Sequence, residues 1–92
     1  MRLRWTEVAV QDLKGISDYI SERDGAAAAR RIALRIYNAL DSLVLFPHKG
    51  RLGRRMGTRE LVIAGLPWIG VYRVRENAVE IQRILHGAQN LH

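Results

Sequence analysis

The sequence predicts an α+β protein of order β-α-α-β-β-β, with a helix hairpin packed on a small antiparallel sheet. The last third, Arg59 to Gln89, holds three runs rich in Val, Ile, Leu, Trp and Tyr. Branched and aromatic side chains fit a pleated surface, and the breaks at Ala64-Gly65-Leu66-Pro67 and Glu76-Asn77 mark reversals. Those breaks are too short for a parallel crossover, so the runs form a three-stranded antiparallel meander. The first half instead repeats its apolar residues at helical spacing, twice, around a break at Arg23–Gly25. A narrow apolar stripe on each helix needs a cover, and one face of the sheet supplies it.

Taken in order, Arg2 to Trp5 alternates basic with apolar residues and reads as a first strand on the edge of the C-terminal sheet. Thr6 is a plausible N-cap, and Glu7 complements the positive end of the helix dipole. Ala9, Leu13, Ile16 and Ile20 then fall on one helical face, with Asp12, Lys14 and Asp18 off it. This first helix is expected to end near Ser21 or Glu22. Asp24 is expected to cap the second helix, whose stripe is Ala29, Ile32, Ala33, Ile36, Leu40 and Leu43. Pro47 disfavours helical geometry at Phe46, so that helix is expected to end after Leu45.

Residues 47–58, with three glycines, a proline and the cations Lys49, Arg51, Arg54 and Arg55, read as an irregular loop. In the meander, Leu61 and Ile63 face the core and alternate with Glu60 and Val62. The run from Trp68 to Val74 is apolar on both faces and is the central strand. Trp68 and Tyr72 could stack on bases, but their alternate positions there assign them to the core. Val79, Ile81 and Leu85 line one side of the last strand, and Arg83 shares that side. An arginine so placed needs a carboxylate, a fringe of carbonyls or a ligand. No apolar stripe is left over once the helices cover the sheet.

Composition narrows the function. Ninety-two residues, 48% of them hydrophobic, suffice for one domain over residues 1–92 with one core. No run approaches the roughly 18 apolar residues of a membrane span, and the first ten residues lack the apolar segment of a secretory signal. A cytoplasmic protein is the expectation. The absence of cysteine excludes a thiol nucleophile and a disulfide framework. Thirteen arginines and two lysines against nine acids leave a net charge of +6, which implies an acidic partner. The preference for arginine favours bidentate recognition of carboxylate or phosphate.

Two candidate sites follow. Arg51, Arg54, Arg55 and Arg59, extended by Arg73 and Arg83, could form a concave cationic surface. The alternative is a solvated loop with strand arginines paired to Glu60, Glu76 and Glu80. His86, the single histidine in a predicted element, could act as acid or base in metal-free RNA cleavage beside Arg83 and Arg59. No second acid or base accompanies it at a recognisable spacing, and His48 and His92 complete no metal-ligand cluster. Nucleotide-loop and hydrolase motifs are absent, and no cofactor is called for.

In order along the chain, Asp12-Leu13 with Ile16 and Tyr19-Ile20, Phe46-Pro47 with Gly50-Arg51, and Arg59-Glu60-Leu61-Val62 precede a second group. This comprises Pro67, Val71-Tyr72-Arg73-Val74 and Arg83-Ile84-Leu85-His86-Gly87-Ala88-Gln89. The series resembles the ParE/RelE superfamily of bacterial toxin–antitoxin toxins, and most closely its ParE-type plasmid-stabilisation branch. The resemblance implies the fold derived above and a growth-inhibiting toxin neutralised by a cognate antitoxin. It implies an antitoxin of ribbon-helix-helix type that wraps the toxin and itself binds operator DNA, with no membrane partner. ParE-type members are associated with poisoning DNA gyrase, and RelE-type members with cleaving mRNA on the ribosome. The ribonucleases carry a basic residue before the central Val-Tyr, where this chain has Trp68, Ile69 and Gly70. They also usually end in a tyrosine- or histidine-bearing segment. Here Arg83 and His86 stand near that region, and no tyrosine follows Tyr72. The ParE-type, non-nuclease reading is therefore favoured, with the ribosome-dependent endoribonuclease as the alternative.

Overall fold

A computed structural model describes residues 1–88; Gln89 and His92, both named above, lie outside them. Strand β1 (Arg2–Trp5) leads into helices α1 (Glu7–Asp24) and α2 (Ala26–Asp41) and a single 3-10 turn, Ser42–Val44. Strands β2 (Arg51–Leu52), β3 (Arg59–Val62), β4 (Trp68–Arg75) and β5 (Ala78–His86) follow. The sheet runs β1-β5-β4-β3-β2. The meander β3-β4-β5 is antiparallel as expected, and β4 is central. β1 adds to β5 in parallel, so the sheet is mixed. The intervening helices supply the long connection that parallel pairing requires.

Both helix stripes meet the helix-facing side of the sheet. Ala9, Ile36, Leu40, Leu43, Leu61, Ile63, Tyr72, Val79, Ile81 and Ile84 form the core, with Leu13, Ile16 and Trp68 packed against it. Gly70 lets the layers approach: a Cβ there would lie 2.5 Å from Leu40 Cδ2. At the other end of the hairpin, Thr6 caps α1, its Oγ1 accepting from Ala9 N.

Several boundaries differ from expectation. α1 continues to Asp24, and across its last turn Arg23 donates to the Tyr19 hydroxyl and stacks on its ring. Asp24 is thus helical and caps nothing; Gly25, at φ 94°, separates the helices and stands at the N-cap of α2. The α-helical part of α2 stops at Asp41 rather than Leu45. There Ser42 Oγ donates to Ala39 O and Ser42 O accepts from both Leu45 N and Phe46 N, tightening the chain into the 3-10 turn. The glycine-rich loop contains the two-residue strand β2, pairing Arg51 with Glu60 and Leu52 with Arg59.

The largest difference is in β5. Its register against β4 shifts where Val71 faces Arg83 and Tyr72 faces Ile81, leaving Gln82 as an extra residue. A one-residue slip exchanges the faces. Ile84, not Leu85, therefore enters the core, and Arg83 leaves the apolar side for an exposed position.

Candidate binding groove

The face of the sheet away from the helices carries a groove of about 520 Å3. Cross-strand register places Glu60, Val71 and Arg83 in one row along its floor, with Arg73 and Leu85 beside them. Arg54, Arg55 and Thr58 from the loop before β3 form one wall, and Thr6 and Val8 from the start of α1 form the other. Four of the expected arginines, Arg54, Arg55, Arg73 and Arg83, are thus brought together around an apolar strip.

Glu60, expected on the solvent side of β3, is buried at 5% exposure. A buried carboxylate is tolerated only when its oxygens are satisfied. Arg51 donates to Glu60 Oε1 through Nε and Nη2 at 3.2 and 3.1 Å, and Arg54 N donates to Oε2 at 3.3 Å. Arg51 is consequently a tie between β2 and β3, not a groove residue.

Arg59 also stands apart from the groove. Its Nη1 donates to Gly50 O at 2.8 Å and His48 O at 3.3 Å. The Tyr72 hydroxyl reaches the same segment, donating to Pro47 O at 2.7 Å and accepting from Gly50 N at 2.9 Å. Burial pushes the Tyr72 phenol above its ordinary range, while the Gly50 amide and the charge of Arg59 pull the other way. Together these two side chains pin residues 47–50 to the sheet.

Arg83 meets Asp12 of α1: Nε donates to Oδ2 at 2.8 Å and Nη2 to Oδ1 at 3.2 Å. That hydrogen-bonded carboxylate raises the guanidinium pKa. Asp12 Oδ2 also accepts from Ile84 N at 2.9 Å. β1 pairs only with residues 78–81 of β5, so the edge beyond them needs other partners. Thr6 Oγ1 donates to Gln82 O, and Asp12 takes the Ile84 amide. In Arg73, the Nε is buried with no hydrogen-bond partner among the described residues.

His86 lies outside the groove. It helps to line a second hollow with Asp12, Gly15, Tyr19 and Trp68, and its Nδ1 accepts from Ala88 N. Arg59 lines a third hollow with His48 and Leu52. Arg83, His86 and Arg59 are therefore distributed over three hollows. Among the described residues no group of three or more His, Cys, Asp or Glu could hold a metal ion, and no helix is long and apolar enough to cross a membrane. Sequence reasoning missed Asp12 and the buried state of Glu60. Asp12 lay off the apolar stripe, and its one signal was its place in the first motif of the resemblance.

A helix hairpin on a five-stranded mixed sheet is the fold of the ParE-type toxins. The sequence model of the ParE toxin of type II toxin–antitoxin systems matches residues 3–91, and the chain belongs to this family. Among its relatives, Y4kP of Sinorhizobium fredii is 44% identical over 88 residues, 96% of this chain and 90% of that protein. Toxin RelE2 of Caulobacter vibrioides is 42% identical over 85 residues, 92% and 93% of the two chains. A solved chain of the chromosomal ParDE system of P. aeruginosa superposes with a TM-score of 0.87 at 28% identity, covering 94% of this chain and 95% of that one. A chain of the E. coli DinJ–YafQ complex, at 12% identity and a TM-score of 0.61 over 100% of both chains, shares the fold. The protein is thus the toxin component of a type II toxin–antitoxin module.

Proposed function

We propose that residues 1–92 act as one cytoplasmic toxin domain whose groove receives an acidic, amphipathic segment of its cognate antitoxin, and that the free chain arrests growth by acting on DNA gyrase. The observation that carries this reading is the groove itself: Arg54, Arg55, Arg73 and Arg83 around the apolar strip of Val71 and Leu85. Alternating acidic and apolar side chains match that surface, whereas a uniform phosphate backbone finds buried Glu60 in its floor. The antitoxin is expected to be of ribbon-helix-helix type, with operator DNA reached only through it. Arg59, Arg83 and His86 line three different hollows, which favours a target-binding toxin over a nuclease, since general acid–base cleavage needs its groups around one scissile bond.

Expression without the antitoxin should arrest growth, induce the DNA-damage response and leave ribosome-bound mRNA intact. New codon-phased cuts in a primer-extension map would reject the gyrase reading. They would support the second reading, a ribosome-dependent endoribonuclease, which the name of the 42% identical relative RelE2 favours. Under that reading Arg83→Ala and His86→Ala abolish the cuts.

A further inference from the structure

The loop before β2 and β3 carries a feature that the groove does not use. The four most exposed large apolar side chains among the described residues all fall within twelve positions: Leu45 at 77%, Phe46 at 61%, Leu52 at 78% and Met56 at 98%. None of them lines the groove. Phe46 and Leu52 border two shallow hollows that share His48, so they flank one continuous end of the molecule. The backbone at this end is tied to the sheet at several points. The carbonyls of Pro47, His48 and Gly50 accept from Tyr72 and Arg59, and Gly53 N donates to Thr58 O at 2.8 Å. Apolar exposure concentrated in one short segment, with Phe46 and Leu52 on adjoining hollows, points to an interaction surface.

We propose that this tip is the surface with which the free toxin engages a protein target, separate from the antitoxin groove. The chemistry of the partner follows from the composition of the tip. Residues 45–59 contain no acid; Arg51 is met by Glu60 and Arg54 and Arg55 wall the groove, so Lys49 and Arg59 are the charges that belong to the tip alone. The occupant is therefore a folded protein surface that presents carboxylates around an apolar socket. Nucleic acid is the poorer match, because three of the four apolar side chains are aliphatic and only Phe46 can stack on a base. The proposal rests on the toxin reading given above.

The test compares Phe46→Ser/Leu52→Ser, Met56→Ser and the control Leu34→Ser, an exposed residue of α2 outside the tip. All three should keep the urea midpoint, since exposed positions without partners shift stability by at most about 0.5 kcal/mol. All three should bind the purified antitoxin encoded beside the gene with wild-type affinity. The tip variants should lose growth arrest at least about tenfold and lose inhibition of purified gyrase, whereas Leu34→Ser should retain both. Equal toxicity of wild type and tip variants overturns the proposal, as does equal loss in Leu34→Ser. Weakened antitoxin binding by the tip variants reassigns the tip to the antitoxin site and overturns it as well. So does a wild-type affinity for anionic vesicles, a duplex or single-stranded RNA that the tip variants lose. A wild-type chain that arrests nothing removes the toxin reading and the tip with it. A toxic wild type matched by an equally toxic tip variant removes the tip alone.

Discussion

Tyr72 shows how one side chain can serve both the core and the loop that precedes β2. Its ring is fully buried among helix and sheet residues, while its hydroxyl bridges Pro47 O and Gly50 N. Tyr72→Phe preserves the ring but strands both backbone groups, and should cost about 1–3 kcal/mol. The pH dependence has a definite sign. Burial raises the phenol pKa, so the neutral form is favoured in the folded state. Below about pH 10 both states are neutral and this contribution is complete. As pH rises further the unfolded phenol ionises first, the folded chain holds more protons, and stability falls. Urea titrations from about pH 8 to about pH 11 should show wild type losing more stability than Tyr72→Phe. Parallel losses would place the effect in other groups.

At the scale of elements, the decisive event is the irregularity at Gln82. It moves Ile84 inward and Arg83 outward, and it makes Asp12 the partner of both Arg83 and the Ile84 amide. The two ends of this contact are unequal. Arg83 is 47% exposed and Asp12 only 18%, so solvent screens much of the ion pair, whereas the amide bond closes a sheet edge. Arg83→Ala should therefore cost about 0–1 kcal/mol of stability, in the range of exposed ion pairs. Asp12→Ala should cost about 1–3 kcal/mol, because a backbone donor loses its partner. Denaturant midpoints of the two variants give the ranking; a costlier Arg83→Ala would mean that the guanidinium holds the helix. Arg83→Ala is thus expected to leave the fold intact, which makes it a clean probe of the antitoxin binding proposed above.

At the scale of the whole molecule, the helices occupy one face of the sheet and leave the other open for the acidic partner proposed above. The net charge of +6 bears on that partner. Screening shortens from about 10 Å at 0.1 M salt to about 3 Å at 1 M. Affinity for the antitoxin should fall roughly tenfold or more between about 0.05 and about 0.5 M NaCl, mostly through slower association. Calorimetry or surface binding kinetics would measure it; a salt-independent affinity would place the binding energy in the apolar strip alone.

The sequence by itself determined the element order, the helix-facing core outside the end of β5, the central place of β4 and the turn at Glu76-Asn77. These follow from local periodicity and turn chemistry, both of which are written in consecutive residues. Both turn residues adopt the positive φ of a two-residue hairpin, 53° and 60°. The tertiary structure alone decided which arginines share a surface. A one-residue irregularity in β5 reversed the side on which Arg83 lies, and strict alternation cannot register an insertion whose compensation comes from a helix 71 residues away. In the same way, Glu60 looked exposed because its partner Arg51 belongs to a strand only two residues long, hidden in a glycine-rich loop. The exposure of Leu45, Phe46, Leu52 and Met56 likewise depends on how the loop is pinned to the sheet by Tyr72 and Arg59. Burial and charge pairing are properties of neighbours in space, and for this chain those neighbours are distant in sequence.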